Sequence, residues 1–228
     1  MPAPSDAPFD APFDAVVFDL DGTLVDTERL CNEAGVEACA NLGLPVSLEF
    51  FERLAGIDDV TRARLIGEEV GEVVELGAFL EEWDRLCTLR FAGGIPIKPG
   101  ASDLLQRLAA AGMPLALATS SRRGPAEEKL AASGLGRFFR TVVTFDDVAS
   151  PKPAPDAFLL ACERLGASPP RALAFEDSET GARAARAAGL TVVQVPDLHG
   201  TDGRNADHVA RTLLDGAAWA GLLGAEAA

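Results

Sequence analysis

The sequence predicts an open α/β fold, a parallel sheet with helices on both faces, interrupted once by an inserted helical block. Short apolar runs of β-branched and aromatic residues recur from residue 114 onward, separated by helical windows, which is the alternation of βαβ units. A similar run, AVVFD at 15–19, stands by itself near the start. Between it and the others, residues 28–96 hold helical windows and no convincing strand.

In chain order, residues 2–14 carry the repeat DAPFDAPFD, whose prolines remove backbone donors and whose acids resist burial, so it reads as an extended tail. AVVFD reads as a buried parallel strand feeding the polar, glycine-containing loop LDGTLVD. Residues 28–42 read as a helix, and SLEFFERL, VTRARLIGEEV and AFLEEWDRLCTLR continue the helical block to about Arg90. GGIPIKPG at 93–100 stops it with its glycines and two prolines. Helices are then expected near 101–111, 124–133, 154–165 and 179–188, and strands at 114–119, 141–145, 172–176 and 191–195. The economical architecture is an α/β core of residues 1–27 and 97–228, with 28–96 inserted as a helical cap domain.

Composition bounds the function. The 228 residues are 48% hydrophobic and 24% charged, enough to build a globular core. Twenty basic against 35 acidic side chains give a net charge of −15, which argues against a nucleic-acid partner, because phosphate backbones bind basic faces. No apolar stretch approaches the roughly 20 residues that span a bilayer, and the start MPAPSDAPFD lacks the basic-then-apolar order of a signal peptide. A cytoplasmic protein without a membrane partner is expected, monomeric by default, with a homodimer open. Cys31, Cys39, Cys87 and Cys162 are scattered and form no Cys-x-x-Cys pair, so they read as ordinary thiols.

In open α/β sheets ligands bind beyond the carboxyl ends of the strands, so the polar residues just after each strand should form one site. After the first strand come Asp19 and Asp21, then Gly22 and Thr23. After the second come Thr119, Ser120 and Ser121, hydroxyl donors leading into a helix, as a phosphate oxygen requires. Lys152 follows the third, between two prolines. Of the three lysines, Lys98, Lys129 and Lys152, it is the only one read as following a sheet strand. Glu176 and Asp177 follow the fourth, with Ser178 and Gly181 behind them. Carboxylates crowded at one strand edge repel one another, and the common remedy is a hard divalent cation such as Mg²⁺, which in turn attracts phosphate.

The motifs DLDGTLVDTE (19–28), LATSS (117–121), PKPAPD (151–156) and FEDSETG (175–181) together resemble the haloacid dehalogenase-like phosphotransferase superfamily, in its branch with a helical cap between the first and second motifs. The resemblance implies a Rossmann-like core and a set of roles. Asp19 would be the nucleophile that forms an aspartyl-phosphate, and Asp21 the acid and base. Thr119 and Lys152 would hold the phosphoryl group, with Gly22 and Ser120 in the phosphate-binding set. Mg²⁺ would be held by Asp19, the backbone carbonyl of Asp21 and Asp177, with Glu176 acting directly or through a water. In the cap, Arg53 and Arg62 flank LAGIDD, where relatives carry a substrate-reading loop, and Glu28 and Cys31 lie on the first cap helix.

Blander readings stand beside these. Thr119 to Ser121 also suit a helix N-cap, and cap arginines usually pair with acids on solvated helix faces. His199 and His208 fall in the polar stretch after the last strand and receive no role. The expected function is a Mg²⁺-dependent phosphatase of a small phosphate monoester, a sugar phosphate or related metabolite. The alternative is a β-phosphoglucomutase-type isomerase, against which Cys31 counts, since relatives of that kind carry a histidine there. A catalytically silent binding protein is disfavoured by the presence of both Asp19 and Asp21, and a scaffold role ranks lowest.

Overall fold

A computed structural model describes residues 12–54, 57, 59–197 and 200–223. Most of the proline-rich repeat, His199 and three positions of LAGIDD (Ala55, Gly56 and Asp58) lie outside the described residues. The chain divides into two compact units, one holding the chain through Val25 and from Ile97 onward, the other Asp26–Pro96.

The first unit is built on a six-stranded sheet, β1 (Ala15–Phe18), β2 (Leu115–Ala118), β3 (Thr141–Val143), β4 (Ala172–Glu176), β5 (Thr191–Gln194) and β6 (His208–Val209). The spatial order is β3-β2-β1-β4-β5-β6 and every pair is parallel. Each residue of β1, β2 and β4 is buried. A strand covered on both faces has no solvent side to alternate toward, which is why these strands read as unbroken apolar runs. Phe18 of β1 and Phe175 of β4 are register partners and stack with centroids 5.0 Å apart.

Among its described residues this unit holds five α-helices: α5 (Ala101–Ala110), α6 (Arg123–Ser133), α7 (Asp156–Leu165), α8 (Glu179–Ala187) and α9 (Leu213–Trp219). The buried face of α8 is Gly181, Ala182, Ala184 and Ala185, small side chains that let the helix lie close to the sheet. Two elements were not legible in the sequence. Strand β6 is two residues long at the sheet edge, too short for a period. Helix α9 carries Gly216 in its middle, which reads as a breaker; here a Cβ would come within 2.5 Å of Val193 and 3.0 Å of Phe175, so the glycine is where the helix meets the sheet.

The order of addition locates the site. From β1 the chain goes on to β2 and then β3 on one side, then crosses back to β4 beside β1 and continues outward to β5 and β6. Connections therefore diverge between β1 and β4, and the carboxyl ends of these strands are where ligands bind in open α/β sheets.

The second unit is helical among its described residues: α1 (Glu28–Asn41), α2 (Leu48–Glu52), α3 (Asp59–Val70) and α4 (Leu76–Phe91). Its core is aromatic, with Trp83 edge-on to Phe51 and tilted against Phe79, both at 5.4 Å between centroids. Gly35 of α1 leaves no room for a Cβ against the Phe51 ring, so the glycine sets how closely α1 and α2 approach. The Trp83 indole N–H is satisfied by the Cys31 carbonyl at 2.7 Å. Two passages of chain connect the units, and they are hydrogen-bonded side by side. Val25 and Ile97 form an antiparallel bridge, Asp26 N–H donates to the Pro96 carbonyl at 2.8 Å, and Lys98 N–H donates to the Leu24 carbonyl at 2.9 Å. Among the described residues no helix is long and apolar enough to cross a membrane.

Candidate active site

The carboxyl ends of β1 and β4 bring together the first and fourth motifs. Asp19 leaves β1 with its N–H bonded to the Phe175 carbonyl at 3.0 Å, so its position is an extension of the sheet ladder. Glu176 ends β4 and Asp177 follows it. One carboxylate oxygen from each of Asp19, Glu176 and Asp177 lies within 4.8 Å of the others, the spacing of ligands around one small cation.

Lys152 reaches into this group from the loop after β3, where its peptide bond to Pro153 is cis. Its ammonium donates to Asp19 Oδ1 at 2.7 Å and to the Ala118 carbonyl at 2.8 Å, and it pairs with Glu176 Oε1. The lysine side chain is 4% exposed, Asp19 is 6% exposed and Glu176 1%. All three of its donor directions are thus filled, as a buried ammonium needs.

The charges do not balance. Burial pushes the Asp19 carboxyl up to about 8; the Lys152 ammonium pulls against this, while the Glu176 and Asp21 carboxylates add to the rise. Burial also works against the Lys152 charge, but Asp19 and Glu176 together hold it above lysine's ordinary range. Three acids share one cation, and a divalent ion on their oxygens would supply what is missing. The donor set, all carboxylate oxygen, suits Mg²⁺ and does not suit a soft metal.

Two glycines make the packing possible. Gly22 has φ +82°, a left-handed conformation that favours glycine, and a Cβ there would collide with the Asp177 carboxylate. Gly181, in the first turn of α8, leaves no room for a Cβ against the Glu176 carboxylate. Ser178 caps α8 by accepting from Gly181 N–H at 3.0 Å, and its hydroxyl donates to Glu176 Oε2 at 3.2 Å. Thr23 donates to Asp177 Oδ1 at 3.3 Å.

Asp21, two residues after Asp19, has both carboxylate oxygens bonded. Oδ2 accepts from the Ser121 hydroxyl at 2.7 Å and Oδ1 from the Lys129 ammonium at 2.7 Å. This corrects the sequence reading, in which Lys152 was the one lysine of the site. Lys129 sits on α6, not behind a strand, and its partner is 108 residues away. A signal did exist: Ala126, Lys129 and Leu130 form the buried face of α6, and an ammonium on such a face needs a partner. Gln194 was also missed. Fully buried at the end of β5, it donates to the Asp177 carbonyl at 3.2 Å and accepts from Thr201 at 2.8 Å, so it holds the backbone beneath Asp177.

Thr119 is buried; its N–H continues the sheet to the Val143 carbonyl at 2.9 Å, and its hydroxyl accepts from Ser121 N–H at 3.0 Å. In this state the hydroxyl shapes the turn that presents Ser121. Ser120 is exposed.

In the helical unit, Glu28 opens α1, and Arg53 is exposed with its guanidinium 5.7 Å from the Phe50 ring centre. Arg62 differs from the expectation of a substrate-reading group. It is buried, pairs with Asp59, donates to the Ile57 carbonyl at 2.8 Å and the Leu54 carbonyl at 3.3 Å, and stacks 4.7 Å over Trp83. Its fork of donors is spent on holding the chain between α2 and α3. His208 stacks on Trp219 at 4.6 Å, away from any acid cluster described above. The four cysteines form no disulfide, and burial pushes the Cys39 and Cys162 thiols up to about 11, so these two are inert.

Known proteins share this arrangement of sequence and fold. A family model described as haloacid dehalogenase-like hydrolase matches residues 13–189. The phosphorylated carbohydrates phosphatase of Thermotoga maritima is 32% identical over 176 residues, covering 77% of this chain and 82% of that protein. The fructose-1-phosphate phosphatase of Escherichia coli is 33% identical over 183 residues, covering 79% and 95%. A solved hydrolase of the same family from Deinococcus radiodurans, with bound phosphate and sodium, has a TM-score of 0.80 at 31% identity, covering 94% of this chain and 99% of that one. The match runs from β1 through α8 and so takes in both strand ends that bear the acids: the chain belongs to the haloacid dehalogenase-like hydrolase family.

Proposed function

We propose that the protein is a Mg²⁺-dependent phosphatase that hydrolyses a small phosphate monoester, a sugar phosphate or related metabolite, through an aspartyl-phosphate. The observation that carries this is the convergence of Asp19, Lys152, Glu176 and Asp177 at one sheet edge, where the ammonium pairs with Asp19 and Glu176 and one oxygen from each of the three acids lies within 4.8 Å of the others. The named phosphatase relatives support the substrate class.

Asp19 attacks phosphorus and forms the acyl phosphate; Asp21 protonates the departing alkoxide and then takes a proton from the water that cleaves the intermediate. Lys152, already tied to Asp19 Oδ1, keeps that carboxylate oriented and offers positive charge to the phosphoryl oxygens. Asp19, Glu176, Asp177 and the backbone carbonyl of Asp21 would hold the metal. When bound, Mg²⁺ supplies charge neutralisation for the transferring phosphoryl group. The inserted helical unit is assigned substrate selection.

The test is phosphate release from a panel of phosphorylated sugars and metabolites, fructose 1-phosphate among them, with glucose 1-phosphate also read for glucose 6-phosphate. Release should require Mg²⁺, disappear with EDTA and return with added Mg²⁺. Asp19→Asn should fold normally and lose activity by about a thousandfold or more. An active Asp19→Asn protein refutes the nucleophile, and isomer formation without release favours a mutase.

A further inference from the structure

Lys129 is a buried charged group that the reaction derived above does not use. It is 7% exposed and lies on the α6 face formed with Ala126 and Leu130, where an apolar side chain would be the ordinary occupant. The chain has three lysines, and elsewhere its cations are arginines. An ammonium in this position differs from a guanidinium in being a compact point charge that fits between two acceptors.

The hydrogen bonds around it leave little freedom. Lys129 donates to Asp21 Oδ1 at 2.7 Å and to the Ser121 hydroxyl oxygen at 2.9 Å. Ser121 in turn donates to Asp21 Oδ2 at 2.7 Å. An ammonium can only donate, so it occupies a lone pair of the serine oxygen and the single hydroxyl proton is directed at Asp21. The three side chains close a ring in which each oxygen of Asp21 has its own donor. The anchors are rigid: Ser121 is held through its N–H to Thr119 and through its carbonyl by Phe145 N–H at 3.0 Å, and Lys129 is fixed on a regular helix. Asp21 itself sits on a short loop, where its side chain would otherwise sample several rotamers.

We propose that Lys129, together with the Ser121 hydroxyl, is a positioning residue for Asp21, fixing the plane of its carboxylate so that the leaving oxygen is protonated from one preset geometry. This rests on the assignment of Asp21 as the proton-transfer group. It goes beyond that assignment because neither Lys129 nor α6 has a part in the mechanism. Effective proton transfer depends on heavy-atom placement to within a fraction of an ångström, so the effect should appear in rate and not in binding.

The test uses the leaving group. A sugar alkoxide needs a proton to depart, whereas p-nitrophenolate does not, and kcat/KM reports only steps up to alcohol release. Lys129→Met keeps the stem and removes the charge. Its kcat/KM should fall about 10- to 100-fold on the sugar phosphate that the panel ranks first, and less than about threefold on p-nitrophenyl phosphate. Mg²⁺ affinity by calorimetry should stay within about twofold. Ser121→Ala, which keeps the lysine, should show a smaller loss with the same leaving-group dependence and stands in if Lys129→Met does not fold. Equal losses on both esters, or no loss on either, overturn the positioning role while leaving the phosphatase reading intact. A wild type that releases phosphate from no ester overturns that reading and this role with it.

Discussion

Gly181 shows how much of the site is set by what a residue lacks. The first turn of α8 lies on the Glu176 carboxylate because position 181 has no Cβ, and Glu176 cannot retreat, since Lys152 and Ser178 hold its two oxygens. Gly181→Ala should therefore cost about 1–3 kcal/mol in thermal unfolding, the range for overpacking a filled interior. It should weaken Mg²⁺ binding by about tenfold or more in calorimetry, because the carboxylate must move. A variant with unchanged Mg²⁺ affinity would show that Glu176 is not a ligand. At this scale the sequence was legible wherever a side chain follows a strand directly. Asp19, Glu176 and Asp177 inherit their placement from β1 and β4, whose apolar runs are visible in the chain. Lys129 and Gln194 were missed because neither follows a strand as part of the four motifs: Lys129 reaches Asp21 from the middle of a helix, and Gln194 ends β5 and holds the Asp177 backbone. Arg62 was misread for the opposite reason. A charged residue next to a loop resembles a ligand-binding group until its guanidinium is seen to be consumed by Leu54, Ile57 and Asp59.

Among the elements, the connection after β3 is tied down by Asp147. A 3₁₀ turn, Phe145–Asp147, follows the strand with a capping box between Thr144 and Asp147. Thr144 donates to Asp147 through its N–H at 2.8 Å and its hydroxyl at 2.7 Å, while Arg123 of α6 and Arg164 of α7 reach the same carboxylate at 2.5 and 3.2 Å. Burial works to raise this carboxyl, but these donors prevail and bring it down from 3.8 to about 2. A folded value below the unfolded one means that the ionised form stabilises the fold. That contribution is complete above about pH 4 and is lost as the pH falls through about 2. Asp147→Asn should thus destabilise the protein by about 2 kcal/mol at neutral pH, with wild type and variant converging near pH 2. Melting curves across that range decide it; a constant difference at all pH values would mean that packing, not charge, is lost. The strands themselves were readable to within two residues because full burial makes them uniformly apolar. Strand β6 and helix α9 were not, since one is too short for any pattern and the other hides its closest contact behind a glycine.

For the whole molecule, the acidic surplus and the alternation of strands and helices fixed the class before any motif was considered. What composition could not show is how the cations are used. Each of the three lysines is paired with an aspartate, Lys152 with Asp19, Lys129 with Asp21 and Lys98 with Asp197, and all three are at least largely buried. The exposed pairs are made by arginine, as with Glu33, Glu68 and Asp103. Exposed pairs of that kind contribute little to stability, so salt should affect the fold weakly.

The bridge between Val25 and Ile97 has a consequence for the gene as much as for the protein. Because the chain leaves and re-enters the sheet unit at adjacent, hydrogen-bonded residues, that unit's topology does not depend on what is spliced between them. A short Gly-Asn-Gly turn joining Val25 to Ile97 should give a protein that still melts cooperatively with an α/β circular dichroism spectrum. A non-cooperative melt would show that the helical unit is needed for folding. If the shortened protein folds, Asp26–Pro96 is a removable module, and relatives could exchange one such insert for another at a single site without re-engineering the sheet that does the chemistry.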